Sequence, residues 1–351
     1  MGPPPLELTL ELSARERFEL VELRSRFTTE HDALASYPRC LYWSAHTTAG
    51  FLDRSLITRL GLGRVGTYIE TLRRIFPEGA GYAHDRLERR TDLDAAQRAV
   101  ESRNGDSHLA FIAGGLQPCV THPNRAGETV CFVDLDGVTD GRPRRRQTRV
   151  IGFHREAVAG QMKLRVPLSG HPIDSVNLKA PALGLYGQLA EFVARADVGK
   201  GRLHIALGRG ERDAALTINE FETLLMKYDV AAVLKNPLRF MAEEYRQALA
   251  NPRAVPGKAL GYARYDLVRV LNTGLKTLGL QGSLLERVLA RTLAVPAARM
   301  FRVRRAISLL VTGGGGRPGP VEGVYQSPIL IQWQRAPRDV RELDVTLYRL
   351  E

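Results

Sequence analysis

The order of landmarks in this 351-residue chain is met twice. In the first half the run Leu41-Tyr42-Trp43-Ser44 leads through Ala45-His46-Thr47-Thr48 into Ala49-Gly50, and Gly81-Tyr82-Ala83-His84 follows. In the second half a strand expected at 203–207 leads into Ala214-Ala215-Leu216-Thr217-Ile218-Asn219-Glu220, and Gly261-Tyr262-Ala263-Arg264 nearly copies the earlier string. A tandem unit of about 170 residues restricts the fold to two similar bodies, each long enough to bury its own core. We place the units at 1–155 and 156–351.

Strand and helix signals alternate within each unit. Leu6, Leu8, Leu10 and Leu12 mark a first strand, 18–23 a second element, 32–35 a short helix, and 40–44 a strand ending toward His46. Val65, Ile69, Leu72, Ile75 and Phe76 fall at helical spacing until Pro77 stops them, and a polar helix is expected through 95–100. Strands at 129–135 and 149–153 flank the Asp140-Gly141 turn. The second unit brings a strand at 162–167 and a helix at 183–194. A helix should then carry Phe221, Leu224, Leu225 and Tyr228 on one face and Leu238, Met241, Tyr245 and Leu249 on another. A further helix should carry Leu284, Leu285, Val288 and Leu289, and strands at 323–333 and 344–350 close the chain. The four glycines Gly313 to Gly316, with no Lys-Ser/Thr after them, suit a hairpin turn and not a phosphate loop. The pattern predicts an α+β fold.

Charge admits several partners. The net charge is +12, which fits nucleic acid, a membrane surface or a phosphorylated substrate. The arginines are spread along the chain, however, and the one cluster, Arg142-Pro143-Arg144-Arg145-Arg146, lacks interleaved aromatics. It reads as a solvated turn or an anion-facing edge, and nucleic acid is not expected as the main partner. No apolar run suits a membrane span, no secretory signal is expected, and Cys40, Cys119 and Cys131 share no zinc or redox spacing. These features lead us to expect a cytoplasmic protein with no membrane partner.

All eight histidines lie at or before position 204. Matching Ala49-Gly50 to Ala214-Ala215 puts Glu211 where His46 stands, and matching the Gly-Tyr-Ala strings puts Arg264 where His84 stands. Histidine chemistry, if present, belongs to the first unit. For His46 two readings stay open: a satisfied core histidine with a Thr-Thr turn behind it, or a site at a strand end. His31, His122, His154, His171 and His204 match no pattern and read as solvated or structural.

At these landmarks the sequence resembles the YjbQ-like family, also called the secondary thiamine-phosphate synthase family, as a double-length, diverged member. His46-Thr47-Thr48-Ala49 matches the front of that family's first motif, and Ala214 to Glu220 matches its back. Tyr82-Ala83-His84 matches a Tyr-x-His, and Asn104 with His108 matches an Asp-Asp-Asn-x-Pro-Ala-His in which Ser102 and Arg103 replace the two acids. Tyr325-Gln326-Ser327-Pro328 and Arg335 to Arg338 echo its closing segment. The resemblance implies two tandem YjbQ-like units, each an antiparallel β-sandwich with helices, assembly as a homo-oligomer, a trimer in the family, and a weak thiamine-phosphate synthase activity.

It also implies a cleft where His46, His84 and His108 meet. Three neutral imidazoles suit Zn²⁺ or another divalent ion with one position open, with Asp85, Asp106 or Thr47 as groups that fix a ring. Without metal the same rings suit acid–base work, with Asn104 and Asp106 beside them. Thr47, Thr48 and Glu220 are the candidate substrate contacts. Glu220 would either reach the cluster across an interface or follow an Asn219 cap as a first-turn acid. The expected ligand is a small phosphorylated molecule. Synthase chemistry expels pyrophosphate from a pyrimidine-methyl pyrophosphate and calls for Mg²⁺, whose obvious ligands are missing at Ser102 and Arg103. The alternative is a non-catalytic ion- or anion-binding or assembly protein.

Overall fold

A computed structural model describes residues 3–139, 141–235, 303–313 and 316–351. In chain order it contains β1 (Leu6–Ser13), β2 (Glu19–Glu22), β3 (Arg39–Ser44), β4 (Ala49–Phe51), α1 (Arg54–Leu60), α2 (Leu62–Ile75), α3 (Ala95–Val100) and α4 (Gly105–Ala113). Strands β5 (Cys119–Pro123), β6 (Cys131–Asp134), β7 (Val138–Thr139), β8 (Arg142–Pro143), β9 (Arg145–Phe153), β10 (Glu156–Pro167) and β11 (Asp174–Asn177) follow. Then come α5 (Leu185–Arg195), β12 (Lys200–Leu207), β13 (Ala214–Asn219), α6 (Ala231–Lys235), β14 (Ala306–Thr312), β15 (Gly319–Val321), β16 (Ser327–Gln332) and β17 (Val340–Leu350).

The fold is α+β with antiparallel sheets. The first half builds a sheet in the order β1-β9-β3-β5 and a second in the order β2-β6-β4. The second half builds β10-β17-β12-β14-β15 and β11-β16-β13. Apart from the added edge β15, the orders correspond strand for strand. The register agrees as well, since Ala49 pairs with Asp134 on β6 and Ala214 pairs with Gln332 on β16.

Alternation explains which faces are buried. On β12, Gly201, Leu203, Ile205 and Leu207 turn inward while Arg202 and His204 are only half-buried. Leu10, Leu12, Tyr42, Phe51, Phe132 and Val150 fill the space between the two sheets of the first half. Leu164, Leu203, Ile205, Leu216, Leu330 and Leu347 do so in the second, with Leu189 and Val193 of α5. The opposite face of the β3 sheet, through Leu41, Trp43, Ile151 and Phe153, packs on Leu310 and Leu350 of the second half. Each large aliphatic side chain removed from water in this way stabilises the fold by about 1.5–3 kcal/mol.

By compactness the chain divides into two units. One unit comprises Met1–Ser55, Gly115–Phe221 and Val303–Glu351 and holds all four of the main sheets; the other comprises Leu56–Gly114 and Glu222–Arg302. In the second of these, α2 buries Val65, Tyr68, Ile69, Leu72 and Ile75, and the Tyr68 hydroxyl donates to Gly114 O at 2.9 Å.

Most of the expected elements form, with differences. Past β13 the chain winds as a π-helical segment, Leu225–Val230, in which Tyr228 is exposed while Leu225, Met226 and Val230 are buried; Phe221, ahead of the helix, is exposed as well. The wider turn moves the apolar stripe off the spacing expected for an α-helix. Strands β4, β5 and β14 were not marked by the sequence. The turn at Asp140 and the centre of the Gly313 to Gly316 loop lie outside the described residues, though β14 and β15 pair antiparallel on either side of that loop. The helices expected around Leu238 to Leu249 and Leu284 to Leu289, and the string Gly261 to Arg264, also lie outside them. Among the described residues no helix is long and apolar enough to cross a membrane. Cys40, Cys119 and Cys131 are free and buried, and burial pushes the Cys40 thiol up to about 11.

Candidate functional site

His84 stands in a tight turn, in which Asp85 N–H donates to Tyr82 O and Arg86 N–H to Ala83 O. The Asp229 carboxylate fixes this turn by accepting the Ala83 and His84 N–H groups at 2.8 and 2.9 Å. Burial pushes the Asp229 carboxyl up to about 6 against the pull of those two donors. Asp85 accepts both His84 Nδ1–H at 3.1 Å and Gly105 N–H at 2.9 Å, and so ties the turn to the first turn of α4. Only glycine fits at position 105, because a Cβ there would lie 2.9 Å from Tyr82 Cβ and 3.2 Å from His84 Cβ.

That close approach brings two imidazoles together. His108, one turn into α4, has its ring centroid 4.9 Å from that of His84, and both side chains are fully buried. Asn104 and Asp106 are buried on the same first turn, where the helix dipole favours the Asp106 charge. Arg90 is buried as well. It grips Asp92 with Nε and Nη2 at 2.9 and 2.7 Å, lies 3.7 Å from Glu222, and points Nη1 at His84 Nε2 at 3.3 Å. An arginine only donates, so His84 Nε2 carries the lone pair and Nδ1 the proton: the ring is neutral. Glu222 also caps the following helix, accepting Leu224 and Leu225 N–H at 2.6 and 2.7 Å. The cap expected at Asn219 is therefore supplied by Glu222, and the Asn219 side chain instead donates to Thr47 O at 2.9 Å and accepts Glu220 N–H.

His46 belongs to the sheet-bearing unit, whereas His84 and His108 belong to the helical one. It follows β3, and Gln326 Nε2 pins its segment by donating to Ser44 O and His46 O at 2.9 and 2.8 Å. Its Nδ1 faces Arg146 Nη1 at 3.5 Å, and its Nε2 is buried with no hydrogen-bond partner among the described residues. Burial first and the Arg146 charge second hold its pKa down at about 4. Arg146 forks onto Asp134 at 2.9 Å through each of Nε and Nη2 and also meets Asp136, which Arg144 reaches at 2.7 Å and Thr48 Oγ1 at 2.5 Å. The arginine cluster is thus only partly a solvated turn: Arg142 and Arg145 are exposed, while Arg146 is a buried ion-pair centre.

The structure therefore gathers His84, His108, Asn104 and Asp106 in one unit and His46, Thr47 and Thr48 in the other, with Glu220 half-buried just past β13. Ser102 is half-buried and Arg103 exposed. Sequence reasoning missed Arg90, Glu222 and Asp229, which reach the site only through tertiary packing. Asp134 and Asp136 facing Arg144 and Arg146 could have been found: D-x-D and R-x-R each put both charges on one face of a strand or its continuation.

The class defined so far is an antiparallel α+β protein with two corresponding sheet pairs and a buried histidine pair. Solved structures similar to it cover about half of the chain. One, described as a YbjQ-like protein of unknown function from Sulfolobus solfataricus, is 15% identical over 56% of this chain and 99% of its own, with a TM-score of 0.30. A hypothetical protein from Aeropyrum pernix is 16% identical over 55% and 99%, with a TM-score of 0.28. An uncharacterized conserved protein of the YjbQ family from Clostridium acetobutylicum is 12% identical over 53% and 98%, also with a TM-score of 0.28. No family model matches the sequence, and no curated protein matches it significantly.

Proposed function

We propose that the chain is a cytoplasmic, tandem relative of the YjbQ-like proteins, with copies at 1–155 and 156–351, that holds a divalent cation at His84 and His108 and uses it to bind a small phosphorylated molecule. The observation that carries this reading is the buried imidazole pair with one ring oriented by a carboxylate. Asp85 accepts a hydrogen bond from His84 Nδ1–H and turns the Nε2 lone pair toward a ligand, as carboxylates behind zinc-bound histidines do.

The local charge fits a cation. Among the described residues the carboxylates of Asp85 and Asp229 reach His84, and those of Asp92 and Glu222 reach the guanidinium of Arg90 beside it. A cation on His84 Nε2 would displace Nη1 of Arg90 from that ring, and because the guanidinium is a rigid plane its fork on Asp92 would turn with it. Zn²⁺ is the best match to two neutral imidazoles, and when bound it would supply Lewis-acid stabilisation to phosphate oxygens. The chain's own groups do the positioning: Asp85 sets the tautomer, Asp229 fixes the turn, and Gly105 admits the helix. With no carboxylate at Ser102 or Arg103 to hold Mg²⁺, ligand binding is favoured over synthase turnover. Assembly of copies, as in the family, is a part of the reading that light scattering can check.

Calorimetric titration of metal-free protein with Zn²⁺ tests the site. We expect about one ion per chain, binding roughly tenfold or more weaker in Asp85→Asn, and no binding in the His84→Ala, His108→Ala double variant. Equal binding in wild type and double variant would remove the proposal.

A further inference from the structure

We propose that the cleft beside Arg341, in the second half, is a separate binding site for a phosphate-bearing small molecule, gripped by Arg165, Arg212 and Arg338. The cleft has a volume of about 590 Å³, which falls in the range of small-molecule pockets. Arg341 is buried at its floor and is fully engaged: Nε donates to Gln332 at 3.1 Å, Nη1 to Glu211 and to Arg212 O at 2.7 Å each, and Nη2 to Gln334 O at 2.8 Å. The other lining charges are partly matched. Arg335 forks onto Asp339 at 2.7 Å through two nitrogens, and Asp213 accepts from Trp333 Nε1 at 3.2 Å. The guanidinium groups of Arg165, Arg212 and Arg338 have no hydrogen-bond or ion-pair partner among the described residues, and all three line the same concavity. With Arg335 and Arg341 these three make five arginines against the carboxylates of Glu211, Asp213 and Glu342 in the lining, which leaves the cleft net positive and able to draw an anion, and forked N–H donors match phosphate oxygens.

Comparison with the first half strengthens the assignment. Arg146 has two carboxylates on it, Asp134 and Asp136. By register Gln332 takes the place of Asp134, so Arg341 keeps a single carboxylate, that of Glu211. Arg144 and Arg146 meet two carboxylates in the first half and Arg341 meets one in the second, so each centre is balanced and the excess positive charge beside Arg341 comes from Arg165, Arg212 and Arg338. The cleft walls also hold left-handed backbone at non-glycine residues, with φ of 54° at Asp213 and 62° at Arg338, a conformation that the surrounding contacts must enforce.

Titration calorimetry of the full chain with pyrophosphate, in chelator-containing buffer at physiological ionic strength, tests the site without the metal. We expect one saturable site, weakened about tenfold or more in Arg165→Gln, Arg212→Gln, Arg338→Gln, and unchanged in His84→Ala, His108→Ala. All three arginines are exposed, so folding should persist, and thermal melting checks it. A triple variant that loses its fold is replaced by Arg212→Glu alone, for which the same weakening is expected. No saturable binding to wild type, equal binding to the arginine variants, or binding lost only in the histidine variant would each overturn the proposal.

Discussion

Two buried arginines occupy corresponding places in the two halves, Arg146 on β9 and Arg341 on β17, and they have opposite surroundings. Arg146 is locked between Asp134 and Asp136 with His46 against it, and with Arg144 also on Asp136 the charges cancel. Arg341 has Glu211 where the first half has His46, neutral Gln332 where it has Asp134, and two backbone carbonyls in addition. The same strand order can therefore hold either a closed ion-pair knot or an open basic cleft. The amide of Gln332 replaces a carboxylate beside Arg341, and Arg165, Arg212 and Arg338 supply the cleft's excess charge.

The comparison is broken most forcefully by removing each arginine. Arg146→Ala leaves Asp134 buried without its cation and Asp136 with Arg144 alone, and should cost about 3–5 kcal/mol. Arg341→Ala leaves Glu211, which is only half-buried, and should cost about 2 kcal/mol. Urea denaturation of both variants checks the order, and a larger loss for Arg341→Ala would contradict the account. Next in size is Gly323→Ala. A Cβ at position 323 would stand 1.8 Å from Ala45 O, so the second half's loop could no longer seat Gln326 on the His46 segment. We expect about 1–3 kcal/mol from the forced backbone shift, read as a drop in melting temperature.

The smallest effect concerns pH. His46 beside Arg146 and His204 beside Arg202 are both lowered from 6.5 to about 4, mainly by burial and then by those arginines. They are neutral in the folded chain and regain their ordinary basicity on unfolding, so unfolding takes up protons. Their contribution is present above about pH 6.5 and is lost as pH falls toward about 4. His204→Gln should flatten the fall in stability across that window by up to one proton's worth, about 1.4 kcal/mol per pH unit at most. An unchanged slope would show that His204 is not held neutral.

Much of this was legible in the sequence, because period-2 alternation and the repeated order depend on local pattern. The 6–12 strand, the 65–76 helix and the strand entering His46 are fixed by side-chain spacing alone, and matching Ala49 to Ala214 placed Glu211 opposite His46 before any sheet was drawn. What stayed hidden depends on contacts between distant segments. Asp229 lies 145 residues from the His84 N–H it accepts, and nothing near it in the chain marks that role. The Phe221 to Tyr228 face does not form, because Phe221 lies ahead of the helix and a π-helical winding from Leu225 changes which residues face inward. His84 and His108 were named from a family pattern, but the reason they meet, Gly105 against Tyr82, is a matter of packing.

The most direct measurement is the metal content of purified, untagged protein beside the His84→Ala, His108→Ala variant, with the fold of each verified by circular dichroism. The account predicts about one divalent ion per chain in the wild type, zinc foremost, and none in the variant. Wild type without metal after incubation with Zn²⁺, or a variant that keeps it in full, would contradict it.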